Sequence, residues 1–245
     1  MSNSYFKFKQ FTIHQDKCAM KVGTDGAILG AWVPLPTEEN PQILDIGCGT
    51  GVISLMIAQR LEGKAQITGI DIDEGAAIQA SENAAISSWA KQISIYHTAL
   101  QDFSPNTKFN LIVSNPPYFT KSLKNPDAQK SKARHNDELP LLTLATFASK
   151  NLTQGGHLAV ILPPQEAGIL ENECFKMGMK TVVRTNVHFK AGATPKRTLL
   201  TIEKTNTEEN PQLTEDDLTL AEAGTDNNYT TQFKTLVRDF YLHIE

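Results

Sequence analysis

The first apolar pattern along the chain is an alternation. Phe6, Phe8, Phe11 and Ile13 are separated by polar residues, with one slip at Lys9-Gln10. Period-two patterning of this kind predicts one or two short strands, with room for a bulge at the slip. Gly23-Thr24-Asp25-Gly26 then reads as a turn, with Thr24 or Asp25 placed to cap a short helix through Trp32. Pro34, Pro36 and Pro41 punctuate a loop. From Gln42 the pattern becomes regular. Short apolar runs at 43–46, 66–71, 93–97, 109–114 and 157–162 predict five buried strands. Helical stretches fall after the first strand at Val52, over Glu74 to Ile86, and over Leu139 to Leu152, the last stopped by Gly155-Gly156. A further helix over Gln165 to Met177 precedes two closing strands, Lys180 to Phe189 and Arg197 to Glu203.

Strands that alternate with helices of this length predict an α/β fold, a doubly wound, seven-stranded mixed sheet. The last two strands have no room for a crossover helix between them, so the last strand should be antiparallel. Residues 205–228 are polar and read as loop. Phe233, Leu236, Val237 and Phe240 recur at helical spacing and predict a terminal helix that buries them. A single domain over 1–245 accommodates all of this: an N-terminal strand and turn extension at 1–36, the sheet core at 42–204, and a C-terminal loop and helix at 205–245.

The bulk numbers remove some possibilities. A net charge of −4 gives no global field for nucleic acid or anionic membrane, so any nucleic-acid partner must meet a local basic patch. Cys18, Cys48 and Cys174 are odd in number and widely spaced, which argues against a disulfide framework and against a zinc site. No metal is expected, and a reducing cytoplasm is the expected compartment. The N-terminus lacks a charged, then apolar, leader pattern, and no stretch approaches about 18 consecutive apolar residues, so no membrane partner is expected. The oligomeric state stays open, a monomer being compatible with the sequence.

Two motifs carry chemistry. Asn115-Pro116-Pro117-Tyr118 directly follows the fourth core strand. Consecutive prolines fix φ, donate no hydrogen bond and push the preceding residue out of the helical region. The result is a stiff turn that presents one carboxamide, one free main-chain carbonyl and one aromatic ring. Such a set can accept two N–H bonds from a planar amino group and stack on its ring. Exocyclic base amines and side-chain amides both have that shape.

The second motif, Asp45-Ile46-Gly47-Cys48-Gly49-Thr50-Gly51, lies between the first core strand and its helix. Glycines there allow a tight turn and close approach of a ligand to the backbone. In doubly wound sheets ligands bind beyond the carboxyl ends of the strands, near the switch in strand order. Asp71 ends the second strand, 20 residues after Gly51, where a carboxylate can accept ribose hydroxyls. Asp73 competes for that role. Turn and carboxylate together point to a nucleoside-containing cofactor. The G-x-G-x-G spacing is not the G-x-G-x-x-G of a dinucleotide site. Hydride transfer has no use for an amide acceptor aimed at an amine, whereas methyl transfer to an amino group does.

These residues resemble the class I, S-adenosylmethionine-dependent amino methyltransferases, a Rossmann-like fold. Met20-Lys21-Val22-Gly23-Thr24-Asp25-Gly26, the basic stretch after Tyr118 and the Phe240-Tyr241 ending are similar to the bacterial tRNA1(Val) adenine N6-methyltransferase family. The resemblance covers nearly the whole chain. It implies S-adenosyl-L-methionine as cofactor, tRNA as partner and the adenine on the 3′ side of the anticodon as target. It also implies that Asp45, Gly47 and Gly49, with Gly51, line the methionine part, that Asp71 holds the ribose, and that Lys21 and Thr24-Asp25 close over the cofactor. The acidic residue expected at the cofactor adenine maps to Asp102, although the register can be drawn to put Ala99 there. Lys121, Lys124, Lys130, Lys132 and Arg134 oppose only Asp127, a local net of +4 suited to RNA phosphates. Rival readings are a methyltransferase for a release-factor glutamine amide, one for ribosomal RNA or DNA amino groups, a binding module without turnover, and an NAD-dependent oxidoreductase. The first usually carries a helical N-terminal domain, and only about 41 residues, read as strands, precede the sheet core here.

Overall fold

A computed structural model describes residues 3–117, 141–205, 212–224 and 228–244. A two-stranded antiparallel hairpin, β1 (Tyr5–Lys7) and β2 (Thr12–His14), leads into α1 (Thr24–Trp32). The core then runs β3 (Gln42–Ile46), α2 (Val52–Arg60), β4 (Gln66–Asp71), α3 (Glu74–Ala85), β5 (Ile93–His97) and β6 (Phe109–Ser114). After it come α4 (Leu141–Asn151), β7 (Leu152–Leu162), α5 (Pro164–Lys176), β8 (Met179–Lys190), β9 (Arg197–Lys204), β10 (Thr214–Ala221) and α6 (Thr231–Val237).

The main sheet has the order β10-β8-β9-β7-β6-β3-β4-β5. Only β9 runs against its neighbours, β7 and β8. The chain lays down β3, β4 and β5 outward in one direction, then returns to place β6 on the other side of β3. That return makes the β3–β6 boundary the switch point, where a ligand crevice opens beyond the strand ends. Both faces of the central strands are covered, which is why they read as unbroken apolar runs rather than alternations. Ile43, Ile67, Leu111 and Val113 pack under α1, α2 and the hairpin, while Leu44, Ile70 and Ile112 pack with Leu144 and Leu158 on the opposite face. Helices α1 and α2 touch closely: a Cβ built at Gly30 would meet Met56 Sδ at 2.9 Å, so a larger residue there would have to displace the Met56 side chain. Among the described residues no helix is long and apolar enough to cross a membrane.

Three expectations are corrected. The main sheet has eight strands rather than seven, because Thr214–Ala221, read as loop, forms a parallel edge strand on β8. Gly155-Gly156 do not stop a helix but lie inside β7, which starts at Leu152 and shifts register against β6 between Phe109 and Leu111. Helix α1 is capped by neither Thr24 nor Asp25: Gly23 is the N-cap without a side-chain bond, and the Asp25 carboxylate accepts from Arg197 Nε at 2.8 Å. The terminal helix buries Phe233 and Val237 as expected, and Phe240 is buried just beyond it.

Candidate active site

The glycine turn leaves β3 in left-handed backbone, with φ of +70° at Gly47, +55° at Gly49 and +79° at Gly51. Main-chain bonds hold that shape. Gly47 N and Cys48 N both donate to Ile70 O on β4, at 2.9 and 3.1 Å, and Gly51 N donates to Cys48 O at 2.8 Å. A Cβ at Gly51 would press on Ala80 Cβ at 3.3 Å, whereas a Cβ at Gly47 or Gly49 would meet nothing within 4 Å. Gly51 is therefore favoured by its left-handed backbone and by the tight approach of α3. Gly47 and Gly49 border open space, a cradle that side chains would fill.

Two carboxylates set the turn. Asp45 is buried; its Oδ2 accepts from Ser54 N at 3.2 Å and Ser54 Oγ at 2.7 Å, while its Oδ1 is buried with no partner. Burial pushes the Asp45 carboxyl up to about 7, against the pull of the Ser54 bonds, and the nearby Asp71 charge adds to the rise. Asp71 Oδ2 accepts from Gly49 N at 2.8 Å, and its Oδ1 accepts from Asp73 N at 2.9 Å. Burial raises its pKa too, partly offset by these main-chain donors. Asp73 Oδ1 accepts from Ala76 N at 2.7 Å, so Asp73 is the N-cap of α3 and leaves the strand-end role to Asp71.

Asn115 stands one step beyond β6, across the switch point from this turn. Ser114 pairs with Ile46 in register, and its Oγ donates to Ile46 O at 2.8 Å, locking the two strand ends together. Side chains alternate along β6, so Asn115 follows Val113 onto the α1–α2 side. A Cβ placed on Gly26 would lie 3.9 Å from Asn115 Nδ2 and 3.4 Å from Val52 Cγ1, which puts the carboxamide among the first turns of α1 and α2. Asn115 is partly exposed, Pro116 buried and Pro117 exposed.

Residues 32–186 match the methyltransferase small domain family. Over all 245 residues the chain is 41% identical to a tRNA1(Val) (adenine(37)-N6)-methyltransferase of Bacteroides thetaiotaomicron, covering 100% of both chains. A protein of the same description from Phocaeicola vulgatus is 42% identical, again over 100% of both. The chain belongs to the tRNA1(Val) (adenine(37)-N6)-methyltransferase family. The crystal structure of a predicted O-methyltransferase from Agrobacterium tumefaciens shares the fold, with a TM-score of 0.66 at 21% identity, covering 88% of this chain and 96% of that one.

Members of this family are class I methyltransferases that use S-adenosyl-L-methionine, and three observations fit that cofactor to these residues. The space over Gly47 and Gly49 is open, Asp45 Oδ1 is a buried acceptor without a donor, and each Asp71 oxygen keeps a lone pair beyond the main-chain bond it already accepts. The other expected contacts are placed as follows. Lys21 is exposed and donates from Nζ to Asn3 O at 3.0 Å. Thr24 is exposed at the start of α1. Thr98 N donates to Asp71 O at 2.9 Å, so Thr98 and Ala99 are the residues brought beside Asp71. Asp102 lies a turn further on, exposed, its N–H on Ala99 O at 3.1 Å. Tyr118 and the basic run Lys121, Lys124, Lys130, Lys132 and Arg134 lie outside the described residues.

Sequence reading missed the polar side chains that hold the site from behind. Asn83, on α3 and buried, donates from Nδ2 to Thr50 O and to His14 O, both at 2.9 Å, and its Oδ1 accepts from His14 N at 2.9 Å. One carboxamide thus ties the N-terminal hairpin to the glycine turn. Gln79 Oε1 accepts from Lys17 N at 3.0 Å, and Gln15 Oε1 accepts from Val22 N at 2.9 Å, fastening the segment between hairpin and α1. An Ala-rich helix carrying amides in its buried stripe was the available signal, but it names no partner.

Proposed function

We propose that this chain transfers the methyl group of S-adenosyl-L-methionine to N6 of adenine 37 in tRNA1(Val), with Asn115 and Pro116 holding the amine. The observation that carries this reading is the placement of the Asn115 carboxamide across the β3–β6 switch point from the open glycine cradle. The tRNA assignment draws on the names of the full-length relatives.

When bound, the cofactor supplies an electrophilic methyl on a sulfonium. Gly47 and Gly49 would admit its methionine part, Asp45 would offer a carboxylate to its ammonium, and Asp71 would accept from its ribose. The adenine amine is a weak nucleophile because its lone pair is delocalised into the ring. Asn115 Oδ1 and Pro116 O accept its two protons, which favours a pyramidal nitrogen. Those bonds strengthen as positive charge builds on nitrogen, so they act on the transition state more than on the ground state. No base is needed beforehand, since the proton leaves to water afterwards. Tyr118 would stack on the target base and the basic run after it would take up phosphates. An anticodon loop suits such a turn because its bases are not held in a duplex. The setting for this work is the cytoplasm.

The test is transfer of labelled methyl groups to total tRNA from a strain lacking the gene, with nucleoside mass spectrometry of the product. The expected result is N6-methyladenosine confined to one tRNA. Labelling of release factor or ribosomal RNA, with none of tRNA, overturns the assignment.

A further inference from the structure

A cavity of about 840 Å³ opens on the same sheet edge as Asn115, between the hairpin, the ends of β8 and β10, and the chain after α6. Strands β8 and β10 run in the direction of β6, and Ser114 is level with Arg184 and Glu215 through the register, so Phe189, Lys190 and Ala221 sit at carboxyl ends that reach past the level of the catalytic turn. Thr24 lines this cavity, and Gly26, two residues on, faces Asn115. Groove and active site are thus continuous along the start of α1.

The wall has one chemical character. Its rim carries Tyr5, Phe189 and Tyr229, 54%, 38% and 37% exposed, far above what buried aromatics show. Its floor is Phe6, Phe233 and Tyr241: Phe6 and Tyr241 are T-shaped at 5.8 Å, and the rim ring of Tyr229 lies tilted on Phe233 at 5.0 Å. The Phe189 ring is held in place by the Arg197 guanidinium, 5.7 Å from its centroid. The charged side chains lining the cavity are Lys7 and Lys190, with His243 beside them and no aspartate or glutamate among the described residues. In a chain of net charge −4, the described residues of this wall include no carboxylate side chain.

Exposed rings interleaved with cations, with no anion among the described lining residues, are the chemistry of a single-stranded nucleic-acid platform, where bases stack and phosphates pair. We propose that this groove seats unpaired nucleotides flanking the target adenine, with Tyr5 and Phe189 stacking on bases and Lys7 meeting the backbone. The proposal rests on the functional reading above. A protein partner's apolar helix would have no need of the lysines that interleave these rings.

The test uses the full chain with S-adenosylhomocysteine, an anticodon stem-loop RNA and fluorescence anisotropy across a salt series. Tyr5→Ala and Phe189→Ala, on opposite walls, should each weaken RNA binding roughly tenfold to a hundredfold, the loss of about one stacked base. Lys7→Gln should lower the slope of log affinity against log salt by about 0.7, one phosphate contact on a single strand. Calorimetric binding of S-adenosylmethionine should stay at the wild-type value in all three, which also reports that each variant is folded. Wild-type RNA affinity in both aromatic variants overturns the groove assignment while leaving the methyltransferase reading intact. So does a wild-type dimer that Tyr5→Ala converts to a monomer with unchanged RNA binding. A wild-type chain that neither binds nor methylates tRNA sinks the functional reading, and this proposal with it.

Discussion

Asp71 Oδ2 and Gly49 N are 2.8 Å apart, joining the end of β4 to the tip of the glycine turn. The same carboxylate therefore shapes the cradle and, in the function proposed above, accepts from the ribose. Asp71→Ala removes both functions, and loss of charge-assisted bonds of this kind costs about 1.5–3 kcal/mol each. S-adenosylmethionine affinity, read by titration calorimetry, should fall at least tenfold, with Asp71→Asn intermediate because it keeps one acceptor. Equal affinity for wild type and Asp71→Ala would remove Asp71 from the site.

Asn83 should matter for the same cradle from a distance. Its carboxamide makes three hydrogen bonds, all to backbone, at a fully buried position. Replacement by leucine leaves the buried Thr50 carbonyl without its partner, at about 1–3 kcal/mol for such an unsatisfied group, and removes two part-buried bonds to His14. Asn83→Leu should lower the thermal midpoint by several degrees and weaken cofactor binding together, because hairpin and turn both lose their tie. A variant with lowered Tm but wild-type cofactor affinity would show that the turn holds its shape without the strap.

The core of this architecture was legible in the sequence, and the reasons are physical. Ile43 to Ile46 and Phe109 to Val113 are buried on both faces, so their apolar runs announce parallel central strands. The glycine turn and the Asn115 turn were legible because each needs residue types with few other uses. Strand β10 was not: it begins Thr214-Glu215-Asp216-Asp217, all exposed, and its buried residues, Leu218, Leu220 and Ala221, come only at its end. An edge strand with solvent on one side carries half the signal of a central one. The glycines of β7 misled for a related reason, since Gly155 sits at φ +74° inside a strand that shifts register there. Ser54, Ser114 and Asn83 were invisible as site residues because partner identity is a property of the fold, not of the local pattern.

Asp45 gives the protein a pH signature. Its carboxyl titrates near 7 in the folded chain, raised by burial, whereas an unfolded aspartate titrates near about 3.9. Between those values the folded state binds more protons than the unfolded state. Stability contributed by this group is thus complete below the unfolded pKa, declines as pH rises, and is gone above about 7. Asp45→Asn should lack that decline, so the difference in Tm between wild type and variant should change across pH 4 to 7 and flatten above it. An ammonium arriving at Oδ1 favours the ionised form, so S-adenosylmethionine binding near pH 6 should release a proton. Calorimetry in two buffers of different ionisation enthalpy measures it, and identical heats would disconnect Asp45 from the cofactor.

Asn115 carries the sharpest test. Its oxygen is assigned to an amine that gains positive charge only during transfer, so its removal should lower the rate more than any affinity. By analogy with removal of one donor from an oxyanion hole, Asn115→Ala should cut single-turnover methylation of tRNA by about 10²–10³. Asn115→Asp keeps an acceptor of the same reach and should recover part of that loss. Cofactor affinity should stay within a few-fold of wild type in both, because the glycine turn and Asp71 are untouched. The contrast separates chemistry from packing: the carboxamide sits near Gly26 and Val52, and a merely structural asparagine would lower Tm and cofactor affinity along with the rate. Full methylation by Asn115→Ala would show that the amine is held by some other group, and the assignment of this turn would fall.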